Sequence, residues 1–290
     1  MTLPPQILPS TTPAAGLLLP AADLFARRAT RLRHLAHGHS MAEWLNWLAG
    51  LAEAQQKSLD SLTDCGLRAS LPFSPEPPVL NADLAVLQKN WQAVHAELSA
   101  ATLAGAPASI DTLQQKAASC LALAAGHGEL SQRDADDLLV AAALQVAWTG
   151  AARHLGLPPI GNTLGDRETC PCCGSLPVGS IVMAGDGMAG LRYLECSLCA
   201  TRWNAVRARC TLCADGHVVN YLGLEGSSGA VQAETCETCH GYIKTCFQNK
   251  DIAVDPLADD LASLALDVLV GEQGFARGTP NLFLGEGDSV

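Results

Sequence analysis

Through roughly the first 160 residues, apolar side chains recur at intervals of three and four, which places them on one face of an α-helix. The same stretch is rich in Ala and Leu and poor in β-branched residues, a composition that also favours helix. The pattern predicts helices that pack as a bundle, over Leu17–His37, Ser40–Leu62, Asn81 or Asp83 to Leu98, Asp111–Ala125 and Ser131–Leu155.

Individual residues mark where these helices begin and end. Ser40 and Glu43 form a capping-box pattern at the start of the second helix. Prolines at positions 72, 75, 77 and 78 exclude helix and predict a loop before the third one. Cys65 and Cys120 are expected in the core of the bundle.

The pattern changes after Gly156–Thr169, a segment that contains several Pro and Gly residues. Short apolar runs then predict strands between glycine-rich turns, over Gly179–Met183, Leu191–Leu194, Val218–Leu222 and Ala230–Ala233. Strands this short do not bury a core of their own, so we expect bound metal to stabilise this half.

A helix is predicted near the end of the chain. Asp255 is suited to cap it, Pro256 to occupy its first position, and Asp259 and Asp260 to lie near its positive end. The apolar residues that follow, up to Gly271, give it a face that we expect to dock on the rest of the protein.

Ten of the twelve cysteines lie between Cys170 and Cys246, a density that indicates metal ligands if the compartment is reducing. Eight of them form four C-x-x-C pairs: Cys170/Cys173, Cys196/Cys199, Cys210/Cys213 and Cys236/Cys239. Each cysteine of the last two pairs lies 40 positions after its counterpart in the first two, which indicates an internal duplication.

The spacing within each pair allows both sulfurs of a tight turn to face one ion, while the amides of the turn face the sulfurs. The duplication predicts that neighbouring pairs combine into two tetrahedral four-sulfur sites, so that the chain binds two metal ions. Such sites hold zinc or a single iron, and the spacing does not choose between them. Cys246 is expected to be a small buried residue, and Cys172 to be exposed beside the first metal.

Composition and charge narrow the range of possible functions. The net charge of −11 argues against a general affinity for nucleic acid or anionic membranes, and the 48% hydrophobic content argues against disorder. The uncharged run Leu138–Ala152 is shorter than the roughly 20 residues of a membrane span. The sequence opens without a basic leader, so we expect a cytoplasmic protein.

Two other functions use C-x-x-C pairs. A thiol–disulfide or redox-active enzyme normally carries one pair between a strand and a helix, which the surroundings of Cys170 and Cys210 do not resemble. A nucleic-acid-binding zinc ribbon needs a basic surface. The arginines that could form one are expected to pair with acids or face solvent: Arg192, Arg202, Arg207 and Arg209. The sequence shows no other catalytic constellation, so we expect no enzymatic activity.

Several stretches are also distinctive as motifs. They are Cys170-Pro-Cys-Cys-Gly-Ser-Leu-Pro-Val, Gly190-Leu-Arg-Tyr-Leu-Glu-Cys-Ser-Leu-Cys, Asp259-Asp-Leu-Ala-Ser-Leu-Ala-Leu-Asp, Gly274-Phe-Ala-Arg and Asn281-Leu-Phe-Leu. Together they resemble the formate dehydrogenase accessory protein family (FdhE). In the first half, the best piece of the resemblance is Arg27-Arg28-Ala-Thr-Arg-Leu-Arg.

Pattern and resemblance together predict an α+β fold. An N-terminal α-helical bundle (residues 1–165) precedes two small tandem rubredoxin-like (zinc-ribbon-like) metal-binding β modules (166–207 and 208–254), followed by a C-terminal helix and tail (255–290). The resemblance implies iron at both sites, with zinc as the alternative. It also implies a cytoplasmic assembly factor that binds the catalytic subunit of formate dehydrogenase before export. No membrane insertion is expected, and a homo-oligomer is compatible with the sequence.

Overall fold

The computed structural model of the chain describes residues 16–62, 84–101, 109–128, 132–154, 168–185, 187–207, 209–216 and 219–285. Apart from a two-residue strand before the first helix and another after the last, helices come first, a sheet follows, and two short helices come last, which confirms the α+β fold. The predicted proline-rich loop, Cys65 and most of the segment 156–169 lie outside these residues. Within them, no helix is long and apolar enough to cross a membrane.

Five of the described helices form the N-terminal bundle. They are α1 (Leu24–Ala36), α2 (Ala42–Ser61), α3 (Leu84–Ala101), α4 (Ile110–Ala124) and α5 (Ala135–Arg153). Helix α5 contacts α2, α3 and α4, and its residues from Leu139 to Ala147 are all buried. A helix surrounded in this way is apolar on every side, so α5 is the centre of the bundle.

The first two helices start differently from their predictions. The first helix begins at Leu24 rather than Leu17, since Pro20 restricts the preceding backbone to extended conformations. The second begins after Met41 without a cap from Ser40; instead, the Nδ1 atom of His39 accepts a hydrogen bond from the Met41 N–H at 3.0 Å.

The start of the fifth helix also differs from the prediction at Ser131. Asp134 caps it through a capping box with Asp137, in which each side chain accepts the other residue's backbone N–H, at 2.9 and 3.0 Å. Two carboxylates at the positive end of a helix stabilise it further.

The described strands form one eight-stranded sheet. They are β1 (Leu17–Leu18), β2 (Pro177–Val182), β3 (Arg192–Cys196), β4 (Arg202–Ala205), β5 (Val219–Leu222), β6 (Val231–Cys236), β7 (Gly241–Phe247) and β8 (Ala276–Arg277). Their order is β1-β4-β3-β2-β7-β6-β5, and β8 pairs with β7. Of these, β4 and β7 come directly after a C-x-x-C pair and were not predicted.

The internal duplication is visible in the sheet. Strands β2, β3 and β4 form an antiparallel unit, and β5, β6 and β7 repeat it about 40 positions later. The two units join through a parallel pairing of β2 with β7, which places Ser180 opposite Thr245. The two predicted modules are therefore continuous with each other through one sheet, while their boundaries as folding units stay a prediction.

The C-terminal helix is broken in two, α6 (Pro256–Leu261) and α7 (Leu264–Glu272). The start is as predicted: the side chain of Asp255 accepts hydrogen bonds from two backbone N–H groups, and Pro256 occupies the first position. The break occurs where the Lys244 ammonium group donates to the backbone carbonyls of Asp260 and Ser263, at 3.0 and 3.1 Å. Those carbonyls are drawn out of the helical pattern.

The helices and the first unit share one hydrophobic core. It contains Phe25 and Leu144 from the bundle, Trp203 from β4, and Leu257 and Leu261 from α6. Smaller apolar clusters lie elsewhere against the sheet, one of them between β6, β7 and α7. The expected docking of the tail is thus realised through α6, which contacts α1, β2 and β7.

Candidate metal centres

The eight paired cysteines come together in two groups of four, as the duplication predicts. We call Cys170, Cys173, Cys196 and Cys199 the first cluster, and Cys210, Cys213, Cys236 and Cys239 the second cluster. In each cluster, all four sulfur atoms lie within 4.8 Å of one another. Each cluster combines neighbouring pairs along the chain rather than alternate ones.

The sulfur–sulfur distances fit a tetrahedral metal site. In the first cluster, the Sγ atoms of Cys173 and Cys196 are 3.4 Å apart, and those of Cys170 and Cys199 are 3.6 Å apart. In the second, the separations Cys210–Cys239 and Cys213–Cys236 are both 3.8 Å. A tetrahedron with metal–sulfur bonds of ~2.3 Å has edges of about 3.8 Å. Both clusters therefore have the dimensions needed to hold an ion.

Backbone amides of the turns point at the sulfur atoms. The Cys170 sulfur accepts from the Cys172 N–H at 3.4 Å, and the Cys210 sulfur accepts from the Leu212 N–H at 3.3 Å. The Cys196 sulfur accepts from the N–H groups of Leu198 and Cys199, both at 3.4 Å. Such bonds stabilise thiolate charge, the form in which cysteine binds metal.

The residue after each pair's second cysteine has a left-handed backbone. The φ angles are 78° at Gly174, 55° at Ala200, 60° at Ala214 and 53° at His240. Glycine adopts this conformation freely, whereas a side chain costs roughly 1–2 kcal/mol. Only the first pair is followed by glycine, yet all four pairs adopt this turn. Its repetition shows that the turn geometry, rather than the residue type, is constant.

The pKa values of the first cluster indicate why its cysteines need a cation. Burial raises the pKa of the Cys170 and Cys199 thiols well above the ordinary value. Hydrogen bonds from the other sulfurs lower the pKa of Cys173. Four thiolates this close together, three of them buried, cannot coexist without compensating charge, and a divalent ion supplies it as it displaces the protons. The donor set therefore fits a metal ion.

The second cluster is closer to water. Cys213 and Cys239 are exposed, whereas Cys210 and Cys236 are buried. Burial acts to raise the pKa of Cys236, but the backbone N–H groups of Cys239 and Thr238 outweigh it and lower the pKa to about 7. The backbone donors of this turn thus favour the thiolate form of Cys236, the form in which cysteine binds metal.

The two other cysteines of this half are both buried. Cys246 is 1% exposed, as expected, and burial raises its pKa well above the ordinary value. Cys172 is also 1% exposed, so its predicted exposure is wrong. Its turn faces the core shared with the helices, and this covers its side chain. Cys120, in α4, is buried in the bundle as predicted.

Buried ion pairs beside the first cluster were not predicted. We call Arg28, Arg31, Glu195, Asp255 and Asp259 the α1 ion-pair cluster. Arg28 lies 3.0 Å from both Glu195 and Asp255, and Arg31 lies 2.6 Å from Asp259, measured between nitrogen and oxygen atoms. The cluster fixes α1 against the strand that leads into Cys196 and against the start of α6.

The acids of the α1 ion-pair cluster differ in the direction in which their pKa is shifted. Burial alone raises the pKa of Asp255, but the Arg28 charge and backbone N–H donors lower it below the usual range. At Glu195, burial prevails over the Arg202 and Arg28 charges, so its pKa is raised. Each carboxylate thus depends on arginine to remain charged in the interior.

The arginines considered as a basic patch are mostly engaged inside the protein. Arg192 is 1% exposed and lies 2.8 Å from Glu234, and Arg202 lies 2.7 Å from Glu195. Arg209 donates to the backbone carbonyl of Ala214 at 2.7 Å, and thereby holds a turn of the second cluster. The prediction that they pair with acids is confirmed for Arg192 and Arg202.

A helical bundle joined to a duplicated sheet with two four-cysteine clusters defines a class of protein with tandem metal-binding modules. Three family models match the chain: "FdhE, N-terminal" over residues 13–159, "FdhE, central domain" over 169–207, and "FdhE, C-terminal domain" over 208–284. The chain belongs to the FdhE family.

Individual relatives agree with this assignment. A Pseudomonas aeruginosa protein named "Protein FdhE homolog" is 37% identical, with 98% of this chain and 97% of that protein aligned. "Protein FdhE" of Escherichia coli is 35% identical, over 92% of this chain and 90% of that protein. The crystal structure of the FdhE protein from Pseudomonas aeruginosa superimposes with a TM-score of 0.72 at 36% identity, covering 94% of this chain and 99% of that one.

Proposed function

We propose that this protein is a cytoplasmic accessory factor for the assembly of respiratory formate dehydrogenase. It binds the catalytic subunit before export and supports its maturation without turnover of its own. The observation that carries the proposal is membership of the FdhE family over nearly the whole chain. The family resemblance implies this role, and both cysteine clusters are present.

The eight clustered cysteines are the proposed ligands of two metal ions per chain. Iron is favoured by the family resemblance, and zinc is the alternative. The ion would supply a fixed four-sulfur junction between the two turns of each cluster and, if it is iron, a change of one charge unit on oxidation. The chain's own residues orient the sulfurs through the turn amides, and three of the four cysteines of the first cluster are buried.

Charge and burial support protein recognition over nucleic-acid binding. The chain carries a net charge of −11, and a four-thiolate site with a divalent ion adds about −2 more. Arg192 and Arg202 pair with buried acids and are not available to phosphates. An acidic folded surface achieves specificity for a protein partner through shape and charge complementarity.

Co-purification tests the proposed partner. The chain should retain the catalytic subunit of formate dehydrogenase from cells grown without oxygen, and the Cys199→Ser variant should lose it if recognition depends on metal. Cys172→Ala is the matched control, because it alters the same core-facing region and leaves all eight clustered sulfurs in place. Absence of partner binding in every sample would overturn the accessory role; binding unaffected by Cys199→Ser would overturn its dependence on metal.

Metal identity has a separate test. Protein purified without air should contain two ions per chain, and iron would show thiolate-to-iron charge-transfer bands that change on oxidation. A colourless protein with two zinc ions would favour the alternative. Light scattering on the same sample measures the oligomeric state.

A further inference from the structure

The two clusters share a spacing but differ in their surroundings. In the first, Cys170, Cys196 and Cys199 are at most 2% exposed and belong to the core that includes the helices, and Cys173 is partly buried. In the second, Cys213 and Cys239 are exposed, and so is the whole run Glu237–His240, which makes up most of its last turn and leads into β7. Two cysteines of the second cluster therefore lie exposed at the surface, whereas no cysteine of the first cluster is more than partly exposed.

Helices hold both turns of the first cluster in place. The backbone N–H of Leu176, just after the first turn, donates to the carbonyl of Ala124 in α4 at 2.7 Å. The Gln145 side chain in α5 donates to the carbonyl of Ser197, within the second turn, at 2.8 Å. Opening this cluster requires these bonds to break and the surrounding core to open with them.

The second cluster is less enclosed by surrounding residues. Leu212, within its first turn, packs on Gly241 and Gly278, where an added Cβ would lie only 2.4 and 2.1 Å from the Leu212 side chain. The other turn, Cys236–Cys239, ends in exposed residues. Among the described residues, no bundle helix has a hydrogen bond to either turn.

We propose that the clusters have different roles. The first is a kinetically inert structural centre that joins the sheet to the bundle. The second is the exchangeable centre, where a metal ion enters and leaves and whose thiolates react first with solutes. The inference rests on the proposed binding of two metal ions. It adds that the ion in the second cluster is the one that responds to a change in metal supply or to a thiol reagent.

Metal release from the intact chain tests the division. The chain, loaded with two zinc ions, is mixed with an excess of a chromophoric chelator, and release is followed by absorbance. We expect two phases of one equivalent each, with rates that differ on the order of thirtyfold, the factor that corresponds to two net hydrogen bonds. Parallel alkylation with N-ethylmaleimide and peptide mass mapping should label the second cluster during the fast phase and the first cluster during the slow one.

Two variants assign the phases. Cys213→Ser should abolish the fast phase, and Gln145→Ala should accelerate the slow phase and leave the fast one unchanged. Cys172→Ala, whose sulfur lies outside both clusters, should leave both phases as they are. Release of both equivalents at one rate, or alkylation of the first cluster before the second, would overturn the inference and leave the proposed function intact. A chain that takes up no metal under any condition would contradict the proposed metal binding itself, and this inference with it.

Discussion

Removing Arg28 provides a quantitative test of how the bundle is attached to the first metal module. Its guanidinium group is 3% exposed and bonds to Glu195 and Asp255, which belong to β3 and to the cap of α6. Arg28→Ala leaves both carboxylates buried with less compensating charge. Breaking a buried ion pair in this way costs about 3–5 kcal/mol of unfolding free energy.

The same helix offers a matched control. Arg33 lies 2.7 Å from Glu53, but both side chains are about half exposed. Arg33→Ala should therefore cost less than about 1 kcal/mol. Urea unfolding of the metal-loaded protein, followed by far-ultraviolet circular dichroism, measures both values. A loss for Arg28→Ala within 1 kcal/mol of that for Arg33→Ala would refute the argument that the buried pairs hold α1 in place.

The pH dependence of this loss has a definite sign. Burial already raises the pKa of Glu195, and removal of the Arg28 charge raises it further. A carboxyl whose pKa is higher in the folded state than in the unfolded state gains stability as the pH falls through the folded value. The difference between wild type and Arg28→Ala should therefore narrow on acidification from neutral pH. A gap that widens would contradict the assignment of Glu195 as the uncompensated charge.

Three further predictions concern single sites. Ala214→Gly should stabilise the protein by roughly 1 kcal/mol because its φ is 60°, whereas the same change at Ala205, in extended β4, should destabilise it; thermal unfolding distinguishes them. Burial lowers the pKa of His95, so the free energy of unfolding should fall as the pH decreases through the ordinary histidine value. The variant His95→Phe should flatten that dependence, and unfolding measured at several pH values tests it. Cys196→Ser should release one metal ion and lower the melting temperature of the helices as well as the sheet, because the first cluster lies in their common core; metal analysis and circular dichroism measure both effects. Unchanged helix melting would contradict that coupling.

The grouping of the cysteines could be predicted because its cause is local and repeated. Two-residue spacing fixes each turn, and the 40-residue offset fixes which turns combine. Helices α2 and α4 followed from apolar periodicity, and α5 from its Ala- and Leu-rich composition, for the same reason: each signal lies within a few turns of chain. The start of α6 at Asp255 and Pro256 could be predicted as well, since a helix cap depends on immediate neighbours.

Features that depend on distant partners were not predicted. Leu17 and Leu18 have a helical pattern nearby, but they pair with Trp203 and Arg202 in β4. Cys172 is covered because the helices pack over its turn. The break between α6 and α7 coincides with hydrogen bonds from Lys244, which belongs to β7. None of these partners lies within the sequence window that sets local structure.

The arginines of α1 did leave a signal in the sequence. Arg28 and Arg31 are three residues apart and share a helix face with Leu24 and Leu32, all of which are buried. Charged residues in the buried stripe of an amphipathic helix require partners of opposite charge. Their partners are acids in the β3 and α6 motifs, so the basic motif of the first half and the acidic motifs of the second form one structural unit.

The way in which the two modules join explains why a duplicated sequence yields unequal sites. Strand β2 of the first module pairs in parallel with β7 of the second, so corresponding strands do not have corresponding neighbours. The first module consequently lies between the bundle and its own copy, and β1 covers its outer strand β4. The second module has the first on one side, and among the described strands its outer strand β5 pairs only with β6. A head-to-tail junction thus buries one cluster and leaves the other near solvent, even though the turns that form them are built alike.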